Sequence, residues 1–273
     1  MRVNFLFWNI NQKPLYDRII RLISAFEIHI LMLAESPFDP GRLLAEIDAN
    51  SDRGFDYPDS ESDRIQVYTS FPTGTIVEAF NDNYSGLTIR RLKIIPAYEI
   101  LLAVAHFRSK KRLKEEEQLL AASRAYDEIH RTEDNVFHQR SILVGDLNMN
   151  PFEPGVTSAQ ALHAVMAKSI ARRKERVVMG KQYRFFYNPM WGLFGDRTEG
   201  PPGSYYFSSG NHHTYFWNMF DQVLLRPELM ESLRDLRILD HDGHQTLLTK
   251  GGIPRGASKS ASDHLPIFFT MEF

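Results

Sequence analysis

Residues 141–154 read SILVGDLNMNPFEP. The four residues 141–144 have strand character and run straight into Gly145-Asp146-Leu147-Asn148, and a turn follows around Pro151 and Pro154. A buried strand that stops on Gly-Asp delivers a carboxylate to the edge of a sheet. One such residue alone is most often a turn former or a helix cap. Repetition of the pattern changes that reading. Residues 3–8 (VNFLFW) run into Asn9, 28–34 (IHILMLA) into Glu35, and 100–105 (ILLAVA) into His106. Asp221 lies in the apolar run FDQVLL at 220–225, and Asp263-His264 precede a closing strand at 265–273.

Between these strands the spacing is helical. Leu15, Ile19, Leu22, Ile23 and Phe26 share one face of a helix over 15–26. Further helices are predicted over 41–49, 113–131 and 156–168, and shorter strands over 65–69, 75–77 and 87–94. Strand, helix, strand in that order gives an α/β arrangement, in which polar side chains at strand ends converge on one crevice. The texture changes over 172–218, where glycine, proline and aromatic residues crowd together (YRFFYNPMWGLFG at 183–195, GPPGSYYFSSG at 200–210), as in irregular loops with short strands. Neither a repeat nor a linker interrupts the chain, so a single domain over 1–273 is expected.

Composition narrows the chemistry. With 43% apolar and 24% charged residues the chain is expected to pack a globular core. A formal net charge of -2 excludes a globally basic nucleic-acid binder and leaves room for a local basic patch. The chain has no cysteine, which rules out disulfides, thiolate zinc sites and a cysteine nucleophile, and suits a reducing cytoplasmic setting. Asn4, Asn9 and Asn11 break the N-terminal apolar stretch, so it reads as a first strand rather than a signal peptide. No apolar run approaches the roughly 20 residues that span a bilayer, and a soluble protein is expected.

Glu35, Asp146 and Asp263 are hard oxygen donors of the kind that suit Mg²⁺ or Mn²⁺. Asn9 and Asn148 add polar groups without further negative charge, which matters for an anionic substrate. His106 and His264 can donate to phosphoryl oxygens, more strongly when protonated.

Six segments carry a resemblance: FWN at 7–9, LAES at 33–36, AVAHF at 103–107, LVGDLN at 143–148, FDQVLL at 220–225 and SDHLPI at 262–267. In this order they resemble the signature of the endonuclease/exonuclease/phosphatase superfamily, which includes deoxyribonuclease-like nucleases, abasic-site endonucleases, inositol-phosphate phosphatases and sphingomyelinases. The resemblance spans nearly the whole chain. It implies a four-layer α/β sandwich, two packed mixed β-sheets flanked by helices, and hydrolysis of phosphodiester bonds dependent on Mg²⁺ or Mn²⁺. Glu35 then resembles the principal metal carboxylate, with Asn9 and Asp263 holding or orienting the ion. Asp146 resembles the aspartate that handles a proton, and Asn148 the residue that orients water or phosphate. His264 resembles the imidazole beside the scissile phosphate, Asp221 the carboxylate that fixes its tautomer, and His106 a second phosphate-side histidine. Asp63, just before a strand, is the candidate acid partner of His106. FDQV departs from many relatives after its aspartate, but Asp221 itself is kept.

The substrate is less legible. RSKKRLK after His106 (Arg108, Lys110, Lys111, Arg112, Lys114) sits badly against a helix dipole and favours a phosphate-contacting role. With a second cluster (Arg172, Arg173, Lys174, Arg176, Lys181, Arg184) and the aromatic stretch it suggests a groove for nucleic acid, DNA or RNA. Clustered aromatics are also the usual anchors of loops. A phosphatase or phosphodiesterase for a small or lipid-linked phosphate is the alternative. A catalytically silent binding module is the third reading, and retention of every polar position argues against it.

Overall fold

The computed structural model describes residues 1–51, 53–96, 98–110, 114–256 and 260–273. The chain opens with β1 (Arg2–Asn9), α1 (Tyr16–Ala25), β2 (Ile30–Ala34), α2 (Pro40–Asn50) and β3 (Ile65–Thr69). Then come β4 (Ile76–Asp82), β5 (Leu87–Ile95), β6 (Tyr98–His106), the long α3 (Glu115–Val136) and β7 (Ser141–Asp146). Short elements follow: α4 (Pro154–Thr157), β8 (Ala164–Val165), α5 (Lys168–Ala171), the hairpin β9 (Glu175–Val178) and β10 (Lys181–Arg184), and β11 (Phe186–Tyr187). A second hairpin, β12 (Tyr205–Phe207) and β13 (Phe216–Asn218), precedes β14 (Asp221–Leu225), β15 (Leu233–Ile238) and β16 (Ile267–Glu272).

Two mixed sheets form the body, ordered β15-β16-β1-β2-β3 and β4-β5-β6-β7-β14-β11-β8. Alternation along a strand decides what each side chain faces. In β6, Ile100, Leu102 and Val104 enter the cluster shared with Phe5, Phe7, Leu31 and Leu33 of the first sheet. Leu101, Ala103 and Ala105 turn the other way and pack with Ala122, Tyr126 and Ile129 of α3. The apolar face of α1 (Ile19, Leu22, Ile23) joins the cluster of the first sheet. Helices therefore flank two sheets packed face to face, the expected sandwich.

Pairing register fixes the site. β1 runs parallel to β2 with Asn9 opposite Ala34, and β6 runs parallel to β7 with His106 opposite Asp146. β14 is antiparallel to β7, so its first residue, Asp221, pairs with Asp146. Antiparallel pairing of β16 with β1 leaves residues 262–264 next to the end of β1. Gly145 is required where β7 meets β6, because a Cβ there would lie 1.9 Å from the Ala105 carbonyl oxygen.

The helix expected over 156–168 does not form. One turn at α4 gives way to β8, an edge strand paired with β11, and then to the single turn of α5. His163, between them, takes a left-handed conformation at φ 51° that no continuous helix tolerates. Arg108, Lys110 and Lys114 also do not begin a helix. α3 starts at Glu115, with three glutamates in its first turn that suit its dipole, and the Lys114 N–H donates to Glu117 Oε2 at 2.7 Å. Lys111 and Arg112 lie outside the described residues. Among the described residues no helix is long and apolar enough to cross a membrane.

An ion pair is buried in the core. Arg226 Nε donates to Glu133 Oε1 at 2.7 Å, both side chains are fully enclosed, and the guanidinium lies 3.9 Å above the Phe186 ring. It ties α3 to the end of β14. Glu133→Ala would strand the arginine and should cost about 3–5 kcal/mol of unfolding free energy, read from urea denaturation. A stability unchanged within 1 kcal/mol (about the spread of surface substitutions) would contradict that role. His163 gives a second test. Burial, helped by the nearby Arg176 and Arg226 cations, pushes its pKa from 6.5 down to about 4. The unfolded chain takes up this proton below about pH 6.5 and the folded one only near 4, so stability should fall as the pH drops through that window. The loss of urea midpoint between pH 7 and pH 5 should shrink in His163→Gln.

Candidate active site

A cleft of about 820 Å³ opens where the strand ends of the two sheets meet. Asn9, Glu35, His106, Asp146, Asn148, Asp263 and His264 all line it. Asp221 lies behind His264, fully buried.

Asp221 Oδ2 is 2.8 Å from His264 Nδ1, and His264 Nε2 lies 3.8 Å from Asp146 Oδ2. Burial would keep the imidazole neutral, but the Asp221 and Asp146 carboxylates outweigh it and push its pKa up to about 10. Burial is also the leading cause that raises the Asp146 pKa; Asp221 adds to it, and His264 opposes it. His264 is held through its backbone as well as its ring. The His264 N–H donates to Ser262 Oγ at 3.1 Å, its carbonyl accepts from Trp8 Nε1 at 2.9 Å, and the Tyr205 ring lies 4.6 Å from its own.

On the other side of the cleft His106 Nε2 is 3.2 Å from Glu35 Oε1. That hydrogen bond is the main reason the Glu35 carboxyl is held below the usual carboxylate range, against burial. Asn9 joins the two halves: its Nδ2 donates to Asp146 Oδ2 at 3.0 Å and to Glu35 Oε1 at 3.3 Å. The Asn148 N–H donates to Asp146 Oδ1 at 2.9 Å and its Nδ2 to the Phe107 carbonyl at 2.9 Å. Glu35 and Asn148 both hold positive φ, 49° and 51°, a conformation uncommon outside glycine. At a candidate site such strain is informative.

The donor chemistry fits a divalent cation. Glu35, Asp146 and Asp263 put three carboxylates into one cleft, with asparagines to orient them. Asp146, Asp221 and His264 also have ligand atoms within 4.8 Å of one another. The 2.8 Å hydrogen bond between Asp221 and His264 already occupies that second set, so the cleft-facing carboxylates are the better hosts.

Some residues behave otherwise than expected. Asp63 is exposed, its N–H donates to Asn83 Oδ1 at 3.0 Å, and among the described residues nothing joins it to His106. Glu35 is the acid beside that ring. The second basic cluster does not line the cleft: Arg172 pairs with Glu231, Lys174 with Glu228, and Arg184 with Glu133 and Asp134. Two residues escaped sequence reasoning. Asn11 donates from Nδ2 to Asp263 Oδ1 at 2.7 Å, and Tyr205 packs on His264. Burial and the carboxylates Asp263, Asp146 and Glu35 push the Tyr205 phenol up to about 12. A second asparagine two residues after Asn9 was the only signal for Asn11. For Tyr205 the only signal was its place in the aromatic stretch at 200–210.

No protein-family model matches the chain, and no curated protein matches it. Solved structures do. An endonuclease/exonuclease/phosphatase family protein from Leptotrichia buccalis superposes with a TM-score of 0.58 at 12% identity, covering 99% of this chain and 100% of its own. A truncated Caenorhabditis elegans TDP2 gives 0.57 at 16%, covering 100% and 98%. An AP endonuclease from Archaeoglobus fulgidus gives 0.57 at 13%, covering 99% and 100%. Such likeness, at these identities, establishes the architecture: the chain has the deoxyribonuclease-like α/β sandwich of endonuclease/exonuclease/phosphatase proteins.

Proposed function

We propose that this protein is a divalent-metal-dependent phosphodiesterase of the endonuclease/exonuclease/phosphatase superfamily, acting on nucleic acid as a single domain. The observation that carries the reading is the Asp221–His264–Asp146 array, 2.8 and 3.8 Å in its two contacts, set beside Glu35 and His106 in one cleft. Fold neighbours named as endonucleases support it.

Glu35 and Asp263 would hold Mg²⁺ or Mn²⁺, with Asn9 orienting the carboxylates. When bound, the cation supplies charge neutralisation at the phosphoryl oxygens. The rest falls to the chain. His264, kept as an imidazolium by Asp221, donates to a non-bridging oxygen where charge builds up. Asp146, with its raised pKa, takes the proton of the attacking water as the new P–O bond forms; the ester P–O bond breaks, and the departing alkoxide takes its proton from solvent in the open cleft. Asn148, tethered to Phe107, orients that water. His106, poised by Glu35, serves a second phosphoryl oxygen.

Metal-dependent cleavage of a labelled panel tests this: single- and double-stranded DNA, RNA, an inositol phosphate and a phosphocholine lipid. Nucleic-acid cleavage should require Mg²⁺ or Mn²⁺ and fall about 10²–10³-fold or more in Glu35→Ala and in His264→Ala. Release of phosphate from the small substrates alone would move the activity to that class. Cleavage unaffected by either substitution would overturn the site. A second test reads the imidazole itself. In metal-free protein the His264 ring nitrogens should stay protonated through neutral pH and titrate near 10, and Asp221→Asn should lower that value. Because the folded pKa lies above 6.5, the associated stability is complete below 6.5 and lost as the pH rises through about 10. A ring that titrates near 6.5 in both proteins would contradict the pairing.

A further inference from the structure

Arg64 and Arg108 line the cleft but have no part in the hydrolytic set. A Cβ on Gly86 would lie 2.1 Å from the His106 carbonyl oxygen and 3.5 Å from Arg64 Cδ, which places Arg64 beside the strand end that carries His106. Among the described residues neither arginine is in an ion pair, whereas Lys110 in the same cleft is held by Glu153. The Arg108 guanidinium instead lies 4.5 Å over the Tyr84 ring, and among the described residues its buried Nε has no partner. A guanidinium stacked on a ring keeps its planar fork of donors for an anion such as phosphate.

The His264 side of the cleft is different in kind. Tyr205 and Phe207 are two residues apart in β12, so they share a face, and both line the cleft. Phe207 is 44% and Tyr215 64% exposed, and both line the same cleft as Glu35, Asp146 and Asp263. The Tyr215 ring is braced 5.3 Å from Phe152, which also packs near the rings of Trp191 and Phe194. A ring held from behind and open in front loses little freedom when a flat ligand stacks on it.

We propose that the cleft takes a single-stranded stretch of nucleic acid, with its phosphates on Arg64 and Arg108 and an unstacked base on Phe207 and Tyr215. The inference rests on the phosphodiesterase reading above and names its substrate class. A protein ring can stack only on a base whose face is open, and inside a duplex both faces are covered by neighbouring pairs. A small phosphate ester would use the arginines and leave the rings in water. One cleft that pairs phosphate forks with bare rings matches a strand that carries both.

The test is fluorescence anisotropy in EDTA with a short labelled single strand, the same sequence as a duplex, and phosphatidylcholine vesicles. The single strand should bind more tightly than the duplex. Phe207→Ala with Tyr215→Ala should cost roughly tenfold or more for the single strand relative to the duplex. Tyr215→Trp, which keeps a stacking face, should restore part of the loss in the Phe207-intact protein over Tyr215→Ala. Arg64→Ala should weaken both nucleic acids and flatten the dependence of log K on log salt by about one unit. Equal loss for single strand and duplex, or no loss for either, overturns the proposal. So would loss of vesicle binding alone, which would make the rings a membrane surface. Hydrolysis of bis(p-nitrophenyl) phosphate by the metal-loaded wild-type protein, a substrate without bases, separates the two readings. Its failure would count against the chemistry, whereas failure of the anisotropy pattern with that hydrolysis intact would count against the strand.

Discussion

β7 pairs with β6 on one side and with β14 on the other, and this register places His106, Asp146 and Asp221 in a row before any side-chain contact is made. Neighbouring strands lie about 4.8 Å apart, so one imidazole and two carboxylates are forced to be neighbours. A slip of one residue would turn each of them to the opposite face of the sheet. Gly145 allows the close approach on which the pairing depends, and the apolar cluster between the two sheets holds the register in place. The first sheet does the same for Asn9 and Glu35, and the two rows meet through the amide of Asn9.

Such crowding is costly. Two buried carboxylates on adjacent strands repel each other, and desolvation opposes ionisation of Asp146. The fold meets this with one buried cation: His264 lies between Asp221 and Asp146 and is charged because of them. Glu35 is treated differently. It keeps access to the cleft and is balanced by His106. The chain therefore holds one fixed pair deep in the site and one adjustable carboxylate at its mouth, a division that suits an ion which comes and goes.

The regular parts of this architecture were legible because burial leaves a periodic trace. β3 has the bounds that its apolar run implies, and the strand ends carry the polar residues that its neighbours share. Legibility failed where contacts are distant in sequence. The basic run at 172–184 looked available for phosphate, yet Glu228, Glu231 and Glu133 neutralise much of it from other elements. Tyr205 meets a histidine 59 positions later, and Asn11 meets Asp263 from the opposite end of the chain. Asp63 illustrates the converse error: a carboxylate in a plausible place before a strand, pointed at solvent. The helix expected over 156–168 failed because Ala164 and Val165 pair with β11 as an edge strand, an alternative that periodicity over so short a segment does not distinguish.

Asn11, Gln12, Glu35 and Asn148 all line the cleft with left-handed backbones. Each would be more relaxed as glycine, which occupies that region without penalty. Yet replacement at Glu35 or Asn148 would remove the side chain for whose sake the turn exists. Along these positions, then, the easiest route to a sturdier molecule leads to an inert one. Selection for robustness alone would erode this cleft first and leave the sandwich beneath it standing.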